Sequence, residues 1–349
     1  MSPITLINKK FLIFFFILNI ILFSQANSNT NNQDYGIISL MYHRFEENKY
    51  PSTNIRINDF IEQIKIIEEE GIKFVNPKNF KQELRDNLNQ RKVLITIDDG
   101  FLSFYEKAWP ILKSKKIPFI LFVSTREVGK NGYMSWAQIN EVASYNFVEI
   151  GNHSHTHDYL IDFDINDIKN DIQTSINIFK KNMNYNSNFF SYPFGEYSLA
   201  FKKLISDLGF EFAFGQHSGV IDVTKDPYEL PRFPINEKYG EIKRFKTLLR
   251  TLPFKFEELL PKEKYINNDS NPPKVRIKFF KTYNIRNINC FSNEENTWRK
   301  SEIKFLNDNE INIILKGKFT TERGRINCSL REENGYYRWL GVQFVVAEK

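Results

Sequence analysis

Cysteine is almost missing from this chain. Of 349 residues only Cys290 and Cys328 are cysteines, both late. No cysteine stands near the N-terminal leader, which excludes a lipid-anchored lipoprotein. No run of basic residues is long enough to track a phosphate backbone, so nucleic acid is excluded as a partner despite the formal charge of +6. Scattered lysines on a solvated surface account for that charge. Internal repeats are also lacking. The one long apolar run, Phe11 to Phe23, spans 13 residues and is too short for a membrane-spanning helix. It follows Lys9 and Lys10 and precedes Ser24-Gln25-Ala26, the order of charged, apolar and small-residue regions in a secretory signal sequence. The chain is therefore expected to be exported, periplasmic or extracellular, with no stable membrane insertion after cleavage. In that compartment an even pair of cysteines predicts one disulfide.

The expected organisation is a signal peptide over 1–26, an unstructured leader over 27–35, a first domain over 36–261, a linker over 262–274 and a second domain over 275–349. Between Ile37 and Leu249 short apolar runs alternate with segments of helical period, which implies parallel strands and crossover helices. Seven or eight such units predict an α/β fold, an irregular (β/α)7–8 barrel. The stretch 262–274 is polar, contains Asn-Asn-Asp-Ser-Asn and ends in Pro-Pro. Beyond it strand patterns follow one another without helices, predicting a small all-β, sandwich-like C-terminal domain.

Chemistry concentrates at two places. Val93 to Ile97 reads as a buried strand that runs into Asp98-Asp99-Gly100. Three of the five histidines crowd into Gly151-Asn152-His153-Ser154-His155-Thr156-His157-Asp158, just after the strand Phe147 to Ile150. In a parallel barrel, segments past strand ends meet on one face. Two imidazoles and one carboxylate there would form a three-ligand site with an open position, the layout of catalytic zinc. Spacing does not select the pair. An extended segment puts His153, His155 and His157 on one side, whereas a helical turn pairs His153 with His157.

Thr96-Ile97-Asp98-Asp99-Gly100, His153-Ser154-x-x-His157 and Tyr192-Pro193-Phe194-Gly195 together resemble three successive motifs of the polysaccharide deacetylases, carbohydrate esterase family 4. The resemblance implies that Asp99, His153 and His157 hold a divalent metal ion, zinc by default, and that Asp98 is the general base. It further implies that Ser154 braces the histidine loop and that the backbone N–H of Phe194 helps hold an oxyanion. Two departures stand out. Ser191 occupies the place of an arginine that orients the base, and the usual late Leu-x-His is missing from Arg250 to Ile266. A circularly permuted branch of the family, which acts on poly-N-acetylglucosamine, carries that histidine on the first strand. Leu40-Met41-Tyr42-His43 is similar to that arrangement, and Arg232 in Leu230-Pro231-Arg232-Phe233-Pro234 is the candidate replacement for the arginine. His43 is then the expected acid for the leaving amine, with His217 as the other candidate.

The expected activity is metal-dependent removal of N-acetyl groups from an N-acetylhexosamine polymer or oligomer, so the expected partner is an acetylated glycan. Rival readings are an O-acetyl esterase or non-sugar amidohydrolase on the same fold, and a catalytically retired glycan-binding protein.

Overall fold

The computed structural model describes residues 33–86 and 89–347. The expected signal peptide and most of the expected leader lie outside the described residues. Asp34 and Tyr35, placed in the leader from sequence, are packed instead. Asp34 pairs with Lys255 and accepts from the Gly36 amide, and the Tyr35 ring lies 5.7 Å from that of Tyr336.

Six strands, β1 (Ile37–Tyr42), β2 (Lys92–Ile97), β3 (Phe119–Val123), β4 (Val148–Asn152), β5 (Phe189–Ser191) and β6 (Phe212–Phe214), lie side by side in chain order, all parallel. Helices α1 (Ile57–Glu69), α2 (Trp109–Lys115), α3 (Trp136–Ala143), α4 (Ile165–Met183) and α5 (Leu199–Asp207) connect them. The ring is completed by one irregular segment. Leu230 bridges to Phe214 of β6, and β7 (Phe233–Pro234) pairs with Leu40 and Met41 of β1. This strand is short because Pro231 and Pro234 have no N–H to give to a ladder. The irregular (β/α) barrel expected from sequence is thus the observed architecture.

Strand alternation sorts side chains into two layers. Val93, Ile95 and Ile97 of β2 and Phe119, Leu121 and Val123 of β3 join the core beneath the helices. Leu94, Ile120 and Phe122 face the other way, into the barrel with Ile37, Phe189 and Phe214. The interior is a packed core rather than a pore. At Gly151 of β4 the backbone passes so close to Phe122 that an added Cβ would lie 2.1 Å from its ring. The loop after β2 leads into a widened, π-helical stretch, Phe104–Ala108, just ahead of Pro110, whose ring and missing amide hydrogen disfavour a regular turn there.

The C-terminal region forms two sheets around a second core that includes Phe254, Ile277, Phe279, Ile311, Cys290, Cys328 and Phe344. Its longest strands are β15 (Arg323–Arg331) and β16 (Tyr337–Val346), paired antiparallel along their length. The predicted disulfide is present between Cys290 and Cys328, which face each other on adjacent strands.

The expected domain boundary does not match the strand pairing. Thr251–Pro253 pairs with β16, Phe256–Leu260 pairs with Val275–Phe279, and Tyr265–Ile266 pairs again with β16. The stretch 262–274 is accordingly not a free linker. Asn271, buried, holds the backbone of Phe319 through both its amide groups. Polar composition suggested a solvated connection, but the Asn side chains find backbone partners inside the module.

Candidate active site

The alternation of β2 determines where its terminal acids go. Leu94 and Thr96 face the barrel interior side, and Asp98 continues that series. Its carboxylate is fully buried and takes a two-pronged salt bridge from the equally buried Arg232, with Nη1 to Oδ1 at 2.7 Å and Nη2 to Oδ2 at 2.8 Å. Arg232 also donates to Thr96 Oγ1, to Ser191 Oγ and to the carbonyl of Gly215. Ser191, at the end of β5, leaves room for this guanidinium and accepts from it at 2.8 Å. The arginine that the sequence lacks at position 191 therefore has its counterpart on the segment that closes the barrel. Burial pushes the Asp98 carboxyl up, but Arg232 together with His153 and His43 holds it below its ordinary value.

Asp99 leaves the strand with φ of 74°, a left-handed conformation that is uncommon for residues with a Cβ. This redirects its carboxylate. Asp99 Oδ1 lies 3.3 Å from His153 Nε2 and 3.2 Å from His157 Nε2. These three ligand atoms lie within 4.8 Å of one another. Asp99 Oδ1 is buried with no hydrogen-bond donor in good geometry, so the facing nitrogens are placed as fellow ligands would be. His153 Nδ1 lies 2.6 Å from the carbonyl of Ser191. That contact requires the proton on Nδ1 and leaves the Nε2 lone pair for a cation, the usual tautomer control of a ligating histidine. The donor set therefore fits a divalent metal. Burial pushes the Asp99 carboxyl up, while the two imidazoles bring it well below the usual carboxylate range.

The histidine loop is braced from within. Ser154 Oγ accepts from the His157 amide at 2.9 Å, and both Ser154 and His157 have positive φ. Asp171 on α4 accepts from the amides of His155 and Thr156. The loop is thus neither extended nor helical, and His155 turns away, with Nδ1 2.9 Å from Thr125 Oγ1.

His43 follows β1 on the same face. Its Nε2 is 4.0 Å from Asp98 Oδ2. Burial lowers its pKa, partly offset by Asp99 and Asp98. His217 lies elsewhere, in a cavity of about 30 Å³ between the barrel and the β module, lined also by Tyr197, Lys225, Lys264 and Trp339. Burial and the nearby lysines push it down to about 3. Phe194 adopts φ of 58°, and its ring lies 4.9 Å from His157. All the site residues expected from sequence thus converge, and only the alternative acid, His217, falls outside. Asp171 was missed, because it reaches the histidine loop from α4 across the fold and carries no local motif.

Residues 85–213 match the family model described as polysaccharide deacetylase. The chain carries a polysaccharide deacetylase domain. The chain is 25% identical over 229 residues to the poly-beta-1,6-N-acetyl-D-glucosamine N-deacetylase of Staphylococcus epidermidis, covering 61% of this chain and 76% of that one. The Staphylococcus aureus (strain N315) enzyme of the same name is 26% identical over 204 residues, 54% of this chain and 70% of that one. Among solved structures, IcaB from Ammonifex degensii superposes with a TM-score of 0.57 at 26% identity, over 62% of this chain and 98% of IcaB. The Streptococcus pyogenes deacetylase PplD shares the fold with a TM-score of 0.56 at 21% identity, over 62% of this chain and 99% of PplD.

Proposed function

We propose that this chain is an exported, metal-dependent hydrolase that removes N-acetyl groups from an N-acetylhexosamine polysaccharide or oligosaccharide. The observation that carries the reading is the convergence of Asp99, His153 and His157 beside the buried Asp98–Arg232 pair. Asp99, His153 and His157 would hold the metal, with zinc the first choice for two imidazoles and a carboxylate. Bound there, it would polarise the acetyl carbonyl and acidify water.

The chain's own residues supply the rest. Water adds to the acetyl carbonyl carbon as Asp98 Oδ2 takes its proton. Arg232 keeps that carboxylate ionised and aimed, acting as a positioning residue. The Phe194 N–H donates to the developing oxyanion. The C–N bond then breaks and the sugar nitrogen takes a proton from His43, giving acetate and a free amine. His43 is neutral when resting, so it must first gain the proton, and Asp98 at 4.0 Å is its nearest acid. The likeness to two staphylococcal poly-beta-1,6-N-acetyl-D-glucosamine N-deacetylases supports a β-1,6-linked N-acetylglucosamine substrate.

Acetate release from β-1,6-linked N-acetylglucosamine oligomers and from chitooligosaccharides, with and without chelator, tests this. Chelator-sensitive release is expected, faster on the β-1,6 series. Release only from O-acetylated glycans would replace the amidase by the esterase reading, and no release from either would favour a binding protein.

A further inference from the structure

Among the places where the C-terminal module meets the barrel is the turn that carries Phe194. Arg323 at the start of β15 donates from Nε to Glu196 Oε1, and its guanidinium carbon lies 5.5 Å from the centre of the Phe194 ring. Gln343 on β16 donates to the carbonyl of Gly195 at 3.5 Å, and Arg325 donates in turn to Gln343 Oε1 at 3.4 Å. Glu196, Gly195 and Phe194 are thus each touched by a side chain from beyond residue 213, where the family match ends.

We propose that Arg323 is a positioning residue for the deacetylase site, holding the Phe194 turn against the metal-ligand cluster through Glu196. The inference rests on the deacetylase reading above. Its physical basis is that the turn is strained and has only two backbone hydrogen bonds of its own, from the Gly195 amide to the Tyr192 carbonyl and from the Glu196 amide to the Pro193 carbonyl. Phe194 sits at φ 58° and Gly195 at φ 75°, with the Gly195 backbone so close to Gln216 that a Cβ there would lie 2.3 Å from its side chain. Such a conformation persists only where the surroundings over-determine it. On one side the surroundings are His157 and Tyr159, whose rings lie 4.9 and 5.6 Å from Phe194. On the other they are Arg323 and Gln343. The Glu196 side chain is only 1% exposed; burial raises its carboxyl above the ordinary value, and Arg323, with the Tyr159 hydroxyl beside it, is the cation that offsets this. Without Arg323 that buried carboxylate would lose its cation, and the turn would open to hydrate it. The Phe194 amide would move with the turn, although Arg323 itself touches neither substrate nor metal.

The test uses the full chain loaded with zinc and compares Arg323→Ala, Arg323→Lys and the double variant Arg323→Ala/Glu196→Gln. The double variant removes the unpaired charge and keeps the fold if Arg323→Ala alone does not. Three quantities are measured: zinc stoichiometry, amide hydrogen exchange over residues 192–198, and kcat and KM for acetate release. Expected are unchanged zinc, exchange at least about tenfold faster through the turn with β2 unaffected, and kcat lower by about ten- to a hundredfold with KM nearly constant. Arg323→Lys should recover part of kcat, because it restores the charge without the planar fork. Unchanged exchange in both alanine variants overturns the proposal, and so does faster exchange with kcat intact or a loss confined to KM. Should the unaltered chain release no acetate from any acetylated glycan, the deacetylase reading falls, and the exchange measurement alone decides whether Arg323 holds the turn.

Discussion

The barrel and the β module distribute strain differently. Four non-glycine residues with positive φ, Asp99, Ser154, His157 and Phe194, belong to the proposed catalytic face of the barrel. Four other barrel residues are of this kind: Lys116 and Asn184 end helices, and Glu46 and Asn89 sit in bends of connecting loops. In the module the only such residues among those described are Glu295 and Asn296, neighbours in one turn. The module instead alternates regularly, with every second residue of β15 buried, and carries a disulfide between facing strands. Conformational strain has accumulated where side chains must be redirected, and covalent reinforcement where a small core needs it.

The sharpest way to break this contrast is at the proposed metal ligands. Asp99→Ala, His153→Ala or His157→Ala should abolish metal binding and turnover, whereas His155→Ala should leave both nearly intact. Metal content of the purified variants decides this, and metal lost by His155→Ala but kept by His157→Ala would reverse the assignment. Next in size is Asp98→Asn, which should keep the metal and lower turnover by about a hundredfold or more if Asp98 is the base. A near-normal rate would remove it from that role. His43→Ala should lower kcat about a hundredfold on an N-acetyl substrate and much less on an activated acetate ester, whose leaving group needs little protonation. Equal losses on the two substrates would argue against the acid role.

The module should respond in stability rather than chemistry. Replacing Cys290 and Cys328 by serine should destabilise it by about 3–4 kcal/mol, read from thermal unfolding, with the kcat of the folded protein unchanged. The last effect is absent at neutral pH and develops only in acid. His217 has its folded pKa lowered to about 3, so between that value and the ordinary 6.5 the unfolded chain binds the extra proton. Stability should therefore fall as pH drops from 6.5 towards 3, and His217→Gln should flatten that slope. An identical slope in the variant would show that His217 does not report on the interface between barrel and module.

Much of this was legible because strand order and period are local properties. The run Val93–Ile97, the acids at its end and the crowded histidines identified the barrel, its catalytic face and the resemblance to polysaccharide deacetylases. The domain boundary was less legible. Strand Thr251–Pro253 pairs with residues more than eighty positions later, and no local pattern announces such a partner. The Asn-rich stretch before Val275 has the composition of a linker, and only the backbone groups near Asn271 make it part of a fold.

The sequence by itself determined which residue types were available to the site and on which strand ends they stood, since alternation and helix period follow from chain geometry alone. Only the tertiary structure decided how they are used. Spacing left three histidines equivalent, and the bend of the loop over Ser154 separated His153 and His157 from His155. Ser191 read as a lost arginine until closure of the barrel brought Arg232 onto Asp98 from 134 residues away. Arg323 and Glu196 meet across 127 residues. These outcomes depend on three-dimensional proximity between distant segments, which packing of the whole chain creates and no local pattern encodes.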